Sequence, residues 1–236
     1  MLNSGFRREH ETTRTELPPR VECDFLTGLD EQKIDAIFAA AHQKQTTANQ
    51  TIVRSGERAS ELYLLRRGRI RYYKATKSGE EVLLYWLTPG DIFGLGSLLE
   101  NPSNYLGSAE AICKCELYVW DHTTIRRLWH LYPRLGENAL RIVLKYLKHY
   151  AERHVGLATQ TAEQRLANVL LGLAQRTGKV GSNAVQIDAT NEQLGSLADI
   201  SPFTTSRLLS GWGRRGLVSK GRQKVFLHAP EALPIE

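Results

Sequence analysis

The chain has 236 residues, 42% of them apolar, and carries a formal net charge of +6 with a sequence pI of about 9.3. That length suits two modest domains or one larger one, and that apolar content excludes wholesale disorder. No run reaches the roughly 18 apolar residues of a membrane span, and three sparse cysteines (Cys23, Cys113, Cys115) exclude a disulfide framework and fit a reducing cytoplasm.

Residues 1–20 are charged throughout, lack the apolar core of a signal peptide, and are expected to be a flexible arm ending at Pro18-Pro19. From Asp30 to Lys44, Ile34, Ile37, Phe38 and Ala41 recur at helical spacing and predict a short helix. β-prone runs then fall at 51–53, 61–65, 69–73, 81–87 and 116–120. Between them lie turns at Ser55-Gly56-Glu57, Arg67-Gly68, Ser78-Gly79-Glu80 and Pro89-Gly90-Asp91, a pattern that predicts a barrel or jelly roll.

A helix of about 25 residues is expected from Pro133, a residue suited to a first helical position. Leu135, Ala139, Ile142 and Tyr146 form one apolar stripe, and Leu140, Val143, Leu144, Leu147, Ala151 and His154 form another. A helix apolar on two sides must cover two surfaces, here the barrel and a second copy of itself. The stripe assigned to dimerisation is Leu135, Ala139, Ile142 and Tyr146; a helix buried within one chain is the alternative. Thr161–Arg176 reads as a further helix, followed by a polar connection over 177–183. The organisation expected is an arm (1–20), a sensor domain (21–132), a dimerisation helix (133–158) and a C-terminal domain (159–236).

In that last domain Thr190 caps a helix with Leu194, Leu197 and Ala198 inward, and Asp199-Ile200-Ser201 makes a tight turn. Ser201 caps a second helix with Pro202 at its first position. This helix is expected to bury Leu208, Leu209 and Trp212, to expose Phe203, Thr204, Ser206, Arg207 and Ser210, and to end at Gly216. Leu217-Val218, a turn at Lys220-Gly221-Arg222, and Lys224 to Leu227 make a hairpin. Two helices at a sharp turn followed by a hairpin define a winged helix-turn-helix. The fold class is therefore α+β: a β-roll or jelly roll, a long helix and a winged helix-turn-helix.

Between Ile200 and His228 stand six basic residues (Arg207, Arg214, Arg215, Lys220, Arg222, Lys224) and no acidic one. Such a face neutralises phosphate, so the partner expected is double-stranded DNA. Arg207 is the best base reader, since a guanidinium can donate two bonds to one guanine edge, with phosphate contact as its alternative. For Phe203, contact with a thymine methyl and simple local packing both stay open. Ser206 is either a base contact or merely exposed. Lys220, Arg222 and Lys224 are read as phosphate contacts of the wing, and Thr190, Ser201, Pro202, Thr204 and Ser210 complete the expected DNA-binding set.

From about Phe25 onward the sequence resembles the Crp/Fnr superfamily of transcription regulators. Recognition helices of that family often read Ser-Arg-Glu-Thr-x-Ser/Gly-Arg, where this chain has Ser201-Pro202-Phe203-Thr204-Thr205-Ser206-Arg207. The Ser and the final Arg align, while Pro202-Phe203 replaces the family's pair and implies different half-sites. Gly56-Glu57, residues 62–71 and Pro89–Gly94 are similar to the family's cyclic-nucleotide-binding-type β-roll. The resemblance places an effector site at Gly94, Leu95, Gly96 and Ser97 with Gly107 and Ser108. Gly107, however, stands where nucleotide-binding members have the Arg that neutralises the cyclic phosphate, and Tyr150-Ala151 replaces their adenine-contacting pair. Cyclic AMP is therefore not the expected effector.

The cysteines also differ in distribution from those of iron–sulfur members: Cys113 and Cys115 are read as small residues on one face of a strand. Haem-sensing members exist too, but none of His42, His122, His130, His149 and His154 stands in a distinguishing motif. A homodimer formed through the long helix would read a palindrome, with a hinge over 157–161, and the resemblance implies a β-roll surface that can contact RNA polymerase. With no recognisable effector, constitutive DNA binding stays open. No Walker loop, HExxH, GxSxG elbow or catalytic carboxylate pair occurs, so an enzyme is not expected. The remaining alternative is a regulatory ligand-binding protein, of cyclic-nucleotide or haem type, that does not act through DNA.

Overall fold

The computed structural model describes residues 21–79, 81–181 and 184–235; the arm expected over 1–20 and Glu80 of the predicted turn lie outside them. The first helix, α1 (Glu31–Ala39), is capped by Asp30, whose carboxylate accepts from the Lys33 N–H at 2.9 Å. It ends short of the expected Lys44 because the chain turns into an edge strand, β1 (His42–Thr46). Only Thr46 of β1 is buried; this strand owes its conformation to its neighbour's hydrogen bonds rather than to apolar alternation.

There follow β2 (Thr51–Val53), β3 (Glu61–Arg67), β4 (Ile70–Ala75), β5 (Glu81–Leu87), β6 (Ile92–Phe93), β7 (Ser108–Ala111) and β8 (Cys115–Asp121). They build two antiparallel four-stranded sheets, ordered β1-β8-β3-β6 and β2-β7-β4-β5. Side chains of β3 and β8 alternate between two cores. Tyr63, Leu65, Leu117 and Val119 point between the sheets, with Ile70, Tyr85, Leu87 and Phe93. Leu62, Leu64, Tyr118 and Trp120 point the other way, onto Ile37 and Phe38 of α1. Burial on both faces explains why these strands read as unbroken apolar runs. Cys115 is buried at the start of β8, but Cys113 is exposed ahead of it, so the two thiols do not share a strand face as expected.

Asp121 caps α2 (His122–Leu131), and α3 (Arg134–Thr159) follows from Pro133. Leu135, Ala139 and Ile142 are buried in the core shared by α1 and the first sheet, and half-buried Tyr146 donates its hydroxyl to the Ile92 carbonyl at 3.2 Å. This corrects their assignment to dimerisation. Buried Asn138 seals that face of α3, donating to the carbonyls of Phe25 and Thr27 at 2.9 Å each. The stripe left in water is the other one: Leu140, Val143, Leu144 and Leu147 are 45–61% exposed.

The C-terminal unit comprises α4 (Ala162–Thr177), β9 (Lys179–Val180), β10 (Val185–Ile187), α5 (Asn191–Ala198), α6 (Pro202–Arg214), β11 (Val218–Gly221) and β12 (Lys224–Leu227). β9 lies where an irregular polar connection was expected, at the edge of a sheet ordered β11-β12-β10-β9. Leu166, Leu170, Ile187, Leu194, Leu209, Trp212, Val218 and Val225 form its core. Among the described residues, no helix is long and apolar enough to cross a membrane.

Candidate DNA-binding surface

The helix pair α5 and α6 is held at its turn by specific local chemistry. Thr190 and Gln193 form a reciprocal capping box at the start of α5. Asp199 takes a left-handed conformation (φ 52°, ψ 49°) that ends α5 and reverses the chain. Gly195 permits the close approach: a Cβ there would lie 2.7 Å from the Ile200 carbonyl oxygen and 2.9 Å from Thr205 Oγ1. Ser201 then caps α6, its hydroxyl accepting from the Thr204 N–H at 3.1 Å, and Pro202 begins the helix.

α6 buries Thr205, Leu209 and Trp212 and leaves Leu208 half-buried; Trp212 also donates to a Glu163 carboxylate oxygen at 2.7 Å. Its outer face carries exposed Pro202, Phe203, Arg207 and Ser210, with half-buried Thr204 and Ser206. Much of the hydroxyl chemistry there is engaged within the protein. Thr204 Oγ1 lies 3.0 Å from Ser201 Oγ, and Ser210 donates to the Ser206 carbonyl at 2.8 Å. From the wing, Lys220 donates to the Ser206 carbonyl at 3.0 Å and to Ser210 Oγ at 2.9 Å, which fixes β11 on α6. β11 and β12 pair down to Gly221 and Lys224, placing Arg222 and Gln223 at the tip. Arg207, Arg214, Arg215, Lys220, Arg222 and Lys224 are all exposed, and none makes an ion pair among the described residues. Six cations without counter-charges on one helix and its wing are an anion-binding face.

Several of the effector-site residues expected in the β-roll are engaged by the roll itself, although the buried Ser97 hydroxyl has no hydrogen-bond partner among the described residues. Gly94 (φ 85°) begins a short 3-10 turn, Leu95–Leu98, and a Cβ on it would lie 2.4 Å from the Glu61 carbonyl oxygen. Ser97 is fully buried, and its carbonyl lies 2.7 Å from His122 Nδ1. The Gly107 N–H donates to the Tyr72 hydroxyl at 2.8 Å, and Ser108 Oγ accepts from the Ser55 N–H at 3.0 Å. Burial raises the Tyr72 hydroxyl's pKa above the ordinary tyrosine value. An own tyrosine thus fills the contact that the Gly107 amide would otherwise offer.

Sequence reasoning missed the junction between the two units. Arg153 of α3 donates to both carboxylate oxygens of Asp199, at 2.6 and 2.8 Å, and to the Leu83 carbonyl of β5 at 2.8 Å. Arg165 of α4 donates to the carbonyls of Ala198 and Gln160 at 2.9 and 2.8 Å. Both guanidiniums border a cavity of about 460 Å³ between β5, α3, α4 and α5, which Tyr85, Trp86 and His149 also line. Nothing in the spacing of these residues along the chain marks them as neighbours.

A β-roll joined through a long helix to a winged helix-turn-helix with a bare cationic face defines a DNA-binding transcription regulator. Residues 43–132 match the model of the cyclic nucleotide-binding domain, and residues 164–234 match the Crp-like helix-turn-helix domain, together more than half of the chain. The protein belongs to the Crp/Fnr family, whose members are transcription regulators rather than enzymes.

It is 26% identical over 196 residues to the anaerobic regulatory protein of Haemophilus influenzae, covering 81% of this chain and 75% of the relative. It is 25% identical over 208 residues to the CRP-like cAMP-activated global transcriptional regulator of Mycobacterium tuberculosis, covering 87% and 92%. The structure of FixK2 from Bradyrhizobium japonicum matches with a TM-score of 0.72 at 21% identity, covering 82% of this chain and 95% of that one.

Proposed function

We propose that the protein acts as a homodimer on palindromic DNA sites and that its β-roll does not take cyclic AMP as effector. The observation that carries the DNA reading is the exposed set of six cations on α6 and the wing, with no acidic residue between Ile200 and His228. Pairing is assigned to the exposed stripe of α3, Leu140, Val143, Leu144 and Leu147, which a second copy would cover. Two-fold pairing would set the recognition helices about one DNA turn, roughly 34 Å, apart. In this reading 21–132 senses, 133–158 pairs and 159–236 binds DNA, with the cytoplasm as the site of action and RNA polymerase as a further partner.

Two features support the cyclic AMP reading: Gly107 brings no cation to a phosphate, and its amide is taken by Tyr72. Mobility shifts on sites selected in vitro should weaken on the order of 10³-fold between about 50 and 200 mM salt. Salt-insensitive binding, or none, would return the protein to the class of ligand-binding subunits that act without DNA. Titration calorimetry with cyclic AMP should give no binding heat; tight binding would overturn the sensor reading.

A further inference from the structure

We infer that Phe203 reads sequence directly, seating its ring on the C5-methyl of a thymine within two steps of the base pair contacted by Arg207. This deepens the DNA-binding reading and rests on it. Phe203 is 79% exposed, and its ring stacks on no other ring among the described residues. Local packing, which the sequence left open, is therefore not what holds it. A lone exposed aromatic elsewhere on a surface needs no explanation. This one stands in the first turn of the helix whose N-terminal residues face base edges.

The neighbouring side chains narrow the choice further. Ser201 and Thr204 are engaged in capping, and Ser210 and the Ser206 carbonyl are engaged by Lys220. Phe203 and Arg207 remain as the long, exposed, unengaged side chains of the first two turns among the described residues. A phenyl ring can neither donate to phosphate nor bond to the polar edge of a base. The one apolar group that duplex DNA presents in the major groove is the thymine methyl. Phe203 and Arg207 are four residues apart, so they lie side by side on the helix. Their axial separation of about 6 Å spans fewer than two base-pair steps of about 3.4 Å. The thymine therefore lies within two steps of the guanine expected under Arg207.

The test uses the full chain and its in vitro selected site. Each thymine is replaced in turn by deoxyuridine, which removes only the methyl, and affinities are measured for the wild type and for Phe203→Ala. At one symmetry-related thymine position the wild type should bind about fourfold more weakly per methyl, and roughly fifteenfold with both half-sites substituted. Phe203→Ala should be indifferent to the same replacement, and Phe203→Leu should retain part of the sensitivity. Because residue 203 is exposed, both variants should melt at the wild-type temperature. Equal wild-type affinity for every deoxyuridine site, or undiminished sensitivity in Phe203→Ala, would overturn the inference while leaving the regulator reading intact. Failure to select any site, with no salt-sensitive binding, would sink both.

Discussion

If the exposed stripe of α3 pairs two copies as proposed, Leu144→Ala should weaken that pairing without loosening the fold. Leu144 is 54% exposed in the single chain. Covering a whole leucine side chain contributes about 1.5–3 kcal/mol, so covering the half left in water contributes about 1 kcal/mol. Two-fold symmetry counts the residue twice, giving about 2 kcal/mol and roughly a thirtyfold higher dimer dissociation constant. Sedimentation equilibrium over a concentration series measures this directly. The control is Ile142→Ala, on the stripe buried against the roll. That change should cost about 2–5 kcal/mol of stability in urea unfolding and leave the dissociation constant nearly unchanged. The reverse pattern, with Ile142→Ala splitting the dimer and Leu144→Ala silent, would show that the assignment of the two stripes is wrong.

Three further outcomes are expected. Arg207→Ala should relax base preference at one position of the selected site, at a cost of about 1–3 kcal/mol; uniform weakening over all sequences would make Arg207 a phosphate contact. Gly195→Ala drives a Cβ against the Ile200 carbonyl and should destabilise the C-terminal unit by about 1–3 kcal/mol in urea unfolding; an unchanged midpoint would mean the α5–α6 crossing is looser than described. In the native protein near pH 8, a disulfide reagent should titrate exposed Cys113 quickly and Cys23 and Cys115 slowly, with all three reacting after denaturation. Burial, the largest influence, pushes the Cys23 thiol up to about 12, leaving a thiolate fraction on the order of 10⁻⁴ at pH 8; fast reaction of three thiols would contradict that burial.

The C-terminal half was the more legible part of the sequence. Its signals are local: a cap at Thr190, a cap and Pro202 at the next helix, Gly216 at its end, and a basic hairpin. Each reports on neighbours a few residues away, and the helices and hairpin formed where these signals stood. β1 escaped notice because an edge strand with one buried residue carries no apolar alternation. α2 escaped although Asp121, Ile125 and Leu128 offered a cap and a helical spacing; the apolar pair alone is too short a stripe to stand out. The two stripes of α3 were both visible, but which one meets the roll depends on Asn138 reaching carbonyls more than 100 residues earlier in the chain. The Arg153–Asp199 pair is likewise a product of tertiary folding.

Arg153 joins the β-roll to the C-terminal unit. One guanidinium donates to a strand carbonyl of the roll and to the carboxylate at the bend between α5 and α6. Either part, in swinging relative to α3, would stretch its own bond to this side chain. With Arg69 of the roll donating to the Asp188 carbonyl as well, the β-roll and the C-terminal unit are joined at two points, so a change in the orientation of either unit would carry a free-energy cost at these bonds.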